Sequence, residues 1–306
     1  MKKFIIKIFV FSIIFTIFYC FMIVVFGKYK FFDSTIILHK PPTGDFQYTR
    51  LEEVKDFNTV DVLFVGSSHA YRGFDTSKFP NIRTFNLGSS SQTHIQTNVL
   101  IRRYLENLQP RLVVYEVYPE LFNNDGVESA LQLVSLDRFD RHVIIMNFII
   151  RDIRLFNTSL YKLLASTIGF HQKYDEPLES DNQWYVPGGY VRRQVSYYEN
   201  GEMFEKYNIE FNKSQLHAFK NTLRILKNKQ IPVLLVFAPI TKARYSRYIN
   251  IEEFDEYMAT FSTYYNFNKI IDLSDNEHFY DSHHMNQYGV EQFNNTLLKF
   301  ITEVIE

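Results

Sequence analysis

The sequence is short of several things, and each shortage excludes something. Its 306 residues hold a single cysteine, Cys20. One thiol cannot close an intramolecular disulfide or build a cysteine-based zinc site. Phe18 and Tyr19 stand directly ahead of it, where a lipid-modified cysteine would want small residues. Cys20 therefore reads as a small apolar residue of a hydrophobic segment. Charge of one sign is also missing: 33 Lys and Arg face 34 Asp and Glu. Without a basic surplus there is no electrostatic case for nucleic acid as a partner. There is no internal repeat and no low-complexity tract.

What is present is apolar and aromatic. Hydrophobic residues make up 46% of the chain, with 30 Phe and 21 Tyr. That is enough to bury one sizeable core, or one domain with an insertion.

Lys2, Lys3 and Lys7 precede an uncharged run from Ile8 to Phe26. As a helix this run spans about 28 Å, close to the hydrocarbon thickness of a bilayer. A cleaved signal peptide would need a small-x-small site. Phe21, Met22, Ile23, Val24 and Val25 offer none. The expectation is an uncleaved single-pass anchor in residues 1–29, with the C-terminal domain outside the cytoplasm. The lysines on both sides give the positive-inside rule only a weak tilt toward an inside N-terminus.

Residues 30–58 read as a linker broken by Pro41-Pro42-Thr43-Gly44, and 59–306 as the folded domain. Within the domain, short apolar runs alternate with helical patterns. Strands are predicted at Asp61–Val65, Ile82–Leu87, Arg111–Val117, Pro232–Phe237 and Ile270–Leu273. Helices are predicted at Gln92–Leu108, Ser214–Lys229, Ile251–Tyr265 and Gln287–Ile305. Continuous apolar strands separated by helices imply a parallel sheet covered on both faces. Sites in such folds gather at the carboxyl ends of the strands. The stretch 122–208 interrupts the rhythm. It is apolar and helical in its first half. Its second half has a turn at Pro187-Gly188-Gly189 between short strands. It reads as an insertion near the strand ends: a lid, a substrate groove or a membrane-facing surface.

Val65-Gly66-Ser67-Ser68-His69 sits where the first strand turns into a helix. A serine there can expose its hydroxyl while the amides of the turn face a developing oxyanion. It still needs a base. Far along the chain stands Asp281-Ser282-His283-His284, after the last strand and before the last helix. In a turn, a carboxylate three residues before a histidine can reach Nδ1 and leave Nε2 free to accept a serine proton. His283 reads as a neighbouring loop residue. Ser67 reads as the position preceding the nucleophile, where loss of the hydroxyl should be mild. Gly88, after Phe85-Asn86-Leu87, permits close backbone approach and offers an amide as an oxyanion donor. A metal reading of Asp275, His278, Asp281, His283 and His284 is allowed by residue type, but no ligand spacing compels it.

The serine after the first strand, the glycine after the second and the Asp-x-x-His before the final helix resemble the SGNH (GDSL-like) hydrolases. The likeness runs from about Asp61 to the C-terminus, leaving the insertion outside. It implies an α/β fold of the flavodoxin-like three-layer α/β/α kind. It also implies Ser68, Asp281 and His284 as a catalytic triad, oxyanion donors at Ser68 and Gly88, and neither cofactor nor metal. Where that family often has Asp before the serine, this chain has Ser67. Its third block would bring an Asn after the third strand. Here that position reads Val117-Tyr118-Pro119-Glu120. Either two backbone amides suffice, or another side chain substitutes, or activity is reduced.

With the anchor, these features look similar to exported SGNH-like proteins of cell-envelope modification, such as the DltD, AlgJ and AlgX proteins. The implied function is a membrane-anchored serine esterase or O-acyltransferase acting through an acyl-serine. The implied partners are an acylated glycan or other acyl ester, the membrane, and a membrane-bound O-acyltransferase. The alternative is an inactive binding or scaffold protein on the same fold.

Overall fold

The computed structural model describes residues 1–29, 45–169, 175–199 and 202–305. The N-terminal apolar run is one unbroken helix, α1 (Lys2–Tyr29). Its segment Lys2–Gly27 is long and apolar enough to cross a membrane. Residues 30–44 of the expected linker lie outside the described residues. The rest of that stretch is not linker throughout: Gln47–Asp56 forms a helix, α2, which buries Arg50, Leu51 and Val54.

From there strands and helices alternate. β1 (Val62–Val65) leads to α3 (Ser68–Gly73), β2 (Thr84–Asn86) to α4 (His94–Leu108), and β3 (Leu112–Glu116) to α5 (Val127–Leu136), α6 (Arg141–Ile150) and α7 (Ile153–Thr167). A small antiparallel sheet follows, made of β4 (Glu179–Ser180), β5 (Gln183–Val186) and β6 (Tyr190–Arg193). The Pro187-Gly188-Gly189 turn joins β5 to β6, as its residues predict. Then come α8 (Lys213–Asn228), β7 (Val233–Phe237), α9 (Lys242–Tyr245), α10 (Ile251–Ala259), β8 (Thr263–Asn266), α11 (Phe267–Ile270), α12 (Asp275–His278) and α13 (Gln287–Ile305).

The main sheet has the order β2-β1-β3-β7-β8, with every pairing parallel. Counting only its own strands along the chain, this is the 2-1-3-4-5 order of flavodoxin-like folds. Side chains alternate between its faces. Val62, Phe64, Leu112, Val114, Leu234 and Val236 pack into one cluster with Phe293, Leu297 and Ile301 of α13. From β3, Tyr115 faces the other way, toward His94 of α4 and Phe219 of α8. The result is the expected three-layer α/β/α sandwich.

One strand differs from the sequence reading. Ile270–Leu273 is not the fifth strand; Thr263–Asn266 is, and Ile270 instead closes α11. The predicted helix 251–265 accordingly ends at Ala259. The physical reason is position. β8 is an edge strand, so three of its four residues keep some solvent exposure. It carries Thr and Tyr, good strand formers, but no continuous apolar run.

The described residues divide into two compact units. One comprises Pro42–Ser129 and Glu176–Glu306, and holds the sheet and its helices. The other comprises Met1–Pro41 and Ala130–Asp175. In it α7 packs on α1: Ile23, Tyr161 and Ala165 form a small buried cluster. Asp140 and Asp152 cap α6 and α7 with side-chain acceptors.

Candidate active site

β1 is followed by Gly66, whose φ of +147° suits a residue without Cβ. A Cβ there would stand 2.6 Å from the Cβ of Glu116. The chain can therefore turn sharply off the sheet. Ser67 then acts as N-cap of α3, its hydroxyl accepting from the His69 N–H at 3.3 Å. Ser68 becomes the first residue of α3. Its Oγ lies 2.8 Å from His284 Nε2. Its N–H has no acceptor among the described residues.

The Asp281–His284 turn has one organiser. Asp281 Oδ1 accepts from the N–H groups of His283 (2.9 Å) and His284 (2.7 Å). Its Oδ2 lies 2.8 Å from His284 Nδ1. The same carboxylate builds the turn and orients the ring. Tyr280 stacks almost parallel on His284, at 5.5 Å between ring centres. The structure thus brings Ser68, His284 and Asp281, expected together from the sequence, into one hydrogen-bonded row.

The electrostatics suit a base at rest. Burial opposes ionisation of Asp281, but the His284 hydrogen bond, the charge of both histidines and the backbone donors outweigh it. Its carboxyl is held below the usual carboxylate range. For His284, burial outweighs the attraction of Asp281, and the nearby Arg72 and Arg244 act in the same direction as burial. Its pKa lies below 6.5, so the imidazole is neutral at neutral pH. His283 is lowered to about 4, through burial and then the neighbouring His284.

Gly88 is close to α3: a Cβ there would come within 2.9 Å of Ala70 Cβ and the Tyr71 nitrogen. Its N–H, however, donates to Asn86 Oδ1 at 2.9 Å. In this arrangement the Gly88 amide is engaged by its own loop. Asn86 also donates to the carbonyls of Ala70 (2.9 Å) and Phe74 (3.1 Å), clamping the last turn of α3.

The sequence reading missed a second row of polar groups behind Ser68. Glu116, the last residue of β3, is buried. Its Oε2 accepts from both the N–H and the hydroxyl of Ser67, each at 2.8 Å. Ser67 Oγ also lies 3.0 Å from Nδ1 of the buried His69. A single hydroxyl proton serves one acceptor at a time. Either Ser67 donates to an ionised Glu116 while His69 donates from Nδ1, or a protonated Glu116 donates to Ser67, which donates to His69. Burial pushes Glu116 up to about 7, although the Ser67 bonds pull the other way. Burial, and then His284 and His283, push His69 well below its ordinary value. The His69 ring stays neutral, 5.1 Å from that of His284, and adds no charge beside the base. The available signal was a charged residue inside an otherwise apolar strand run. Ser67, expected only as the position before the nucleophile, is buried and central to this row.

Where the family pattern would place an Asn, Tyr118 lies against His69 at 4.3 Å. Glu120 there gathers Arg244, Arg247 and the Tyr118 and Tyr248 hydroxyls. For a metal, Asp281, His283 and His284 place ligand atoms within 4.8 Å of one another. Asp275 and His278 are taken up elsewhere: Asp275 accepts from the Lys242 and Ala243 amides, and His278 bonds Ser274 and Gln292. Beside the row is a crevice too tight to hold a water molecule, bounded by residues that include His69, Arg72, Pro239, His284 and Met285.

No protein-family model matches the chain, and no curated protein does. Among solved structures it is similar to a protein from Bacteroides fragilis NCTC 9343 described as "a putative acylhydrolase". The two share 12% identity, with 84% of this chain and 95% of that one covered and a TM-score of 0.42. So distant a likeness adds nothing to the topology already described.

Proposed function

We propose that the protein is a serine hydrolase or acyltransferase acting on an acyl ester, with Ser68 as nucleophile. The observation that carries this reading is the unbroken row Asp281–His284–Ser68, with 2.8 Å at each step. Ser68 Oγ attacks the acyl carbonyl and its proton passes to His284 Nε2. Asp281 stabilises the imidazolium and fixes the tautomer. The free Ser68 N–H donates to the developing oxyanion. Collapse of the intermediate expels the alcohol, which takes the proton from His284. Water, or an acceptor hydroxyl, then attacks the acyl-serine with His284 again as base. Hydrolysis and transfer share every step but the last.

With α1 as an uncleaved anchor and the domain outside the cytoplasm, the substrate would be an acylated envelope glycan or a carrier-linked acyl group. A membrane-bound O-acyltransferase would then be a natural neighbour. This part rests on the apolar helix and the resemblance to envelope-modifying SGNH proteins.

A fluorophosphonate probe tests the nucleophile. It should label the wild type and Ser67→Ala, but not Ser68→Ala. Undiminished labelling of Ser68→Ala would remove Ser68 from the role. A non-catalytic scaffold is favoured by one observation, the engagement of the Gly88 amide by Asn86. That reading is supported instead if the folded wild type takes no label.

A further inference from the structure

Helix α6 has an apolar face on which nothing packs among the described residues. Ile144, Ile145, Phe148 and Ile149 are all exposed, Phe148 by 75%. Their spacing of i, i+1, i+4 and i+5 puts them on one stripe. Val143 and Met146, on the opposite side, are buried. Just past the α6–α7 turn, Ile153 and Phe156 of α7 are exposed as well. Six large apolar side chains on two consecutive helices exceed the scattered exposure ordinary for a surface.

The contact between α7 and α1 sets the depth of this face. It runs in one direction along both helices: Tyr19 bonds Asn157, while Ile23 and Gly27 lie against Tyr161. Ile153 and Phe156 therefore point back along α1, toward its N-terminal side and away from the exit of the apolar run at Phe26. Tyr19 is seven residues before that exit, about 10 Å at helical rise. Interfacial helices bury their apolar faces by roughly 5–10 Å. Asn147 of α6 donates to Ser159 of α7 at 2.8 Å, which ties α6 to the same level. Arg141 stands exposed at the start of α6, the end away from the α6–α7 turn, where a long cationic side chain can reach lipid phosphates.

We propose that the α6–α7 turn is a second membrane contact, its apolar face seated in the headgroup–acyl boundary of the leaflet through which α1 leaves the bilayer. The proposal rests on α1 being a membrane anchor and is independent of the chemistry at Ser68. The unit that contains α1 would then grip the membrane by one spanning helix and one interfacial face. The occupant is the lipid itself.

Because α1 alone would hold the chain on a membrane, the test must read depth rather than association. The full chain carrying Cys20→Ala is placed in nanodiscs of phosphatidylcholine and phosphatidylglycerol. Single cysteines replace Ile145, Phe148 or, as control, Tyr197, which is exposed on the other unit. Each is labelled with an environment-sensitive fluorophore. Labels at 145 and 148 should be quenched severalfold more by spin-labelled lipids than by aqueous iodide, and the control the reverse. Iodide quenching at 148 equal to the control overturns the proposal. So does a label shielded from both quenchers that cross-links to a second copy. Alkaline carbonate extraction of membranes separates the two readings. A chain that stays in the bilayer with a water-exposed label at 148 sinks the interfacial face alone; a chain released by carbonate sinks the anchor and the face together.

Discussion

Glu116 holds Ser67 twice, its Oε2 accepting from the backbone N–H and from the hydroxyl at 2.8 Å each. The residue before the proposed nucleophile is thereby bolted to the end of the central strand β3. On the proposed function the two adjacent serines have different duties, Ser67 to structure and Ser68 to chemistry.

Stability should separate the two. Ser67→Ala removes the cap of α3 and leaves the buried Glu116 and His69 short of a partner. A loss of about 1–3 kcal/mol is expected in denaturant melts. Ser68→Ala, which removes one half-buried hydroxyl, should stay within about 0.5 kcal/mol of wild type. Equal stability of the two variants would contradict the role given to Ser67.

Glu116 should make stability depend on pH. Its folded pKa of about 7 lies above the ordinary 4.5. Between these values the folded state binds more protons than the unfolded one, so stability falls as pH rises. The contribution is fully present below about pH 4.5 and lost by about pH 7. A swing on the order of 3 kcal/mol follows. Glu116→Gln should flatten that part of the stability curve, as measured by urea titrations at several pH values. An unchanged slope in the variant would mean that Glu116 does not titrate there.

Activity should vanish as a unit. Ser68→Ala and the double variant Ser68→Ala/His284→Ala should be about equally inactive on an activated ester, because triad members are not additive. Asp281→Asn should retain roughly a hundredfold more activity than either. A double variant far below Ser68→Ala would show that His284 acts without Ser68.

The base should also appear in the pH profile. With His284 below 6.5, the acid limb of kcat/KM should fall below pH 6.5. Asp281 raises the His284 pKa by its hydrogen bond and its charge. Asp281→Asn removes both influences, so the residual activity should show an acid limb shifted to lower pH. A shift upward would assign the limb to another group.

Much of this was legible in the chain. The three inner strands β1, β3 and β7 announced themselves because strands covered on both faces read as nearly unbroken apolar runs. The edge strand β8 did not, since a half-exposed strand carries no such run. The Asp-x-x-His spacing was legible because a turn of that length needs no distant element: Asp281 builds the turn and orients His284 within four residues. The N-terminal helix was legible from length and composition alone. What only the tertiary structure decided are contacts between residues remote in sequence. Ser68 and His284 lie 216 residues apart and meet because β1 and the loop before α13 end on one rim of the sheet. Gly88 looked free in the sequence, but Asn86, anchored on the distant Ala70 and Phe74 carbonyls, aims its side-chain oxygen at the Gly88 amide. Glu116 looked like one polar letter in an apolar strand, and only the register of β3 beside β1 carries its carboxylate to Ser67. Local spacing is written in the chain; which strand ends become neighbours is settled by the order in which the sheet assembles its strands.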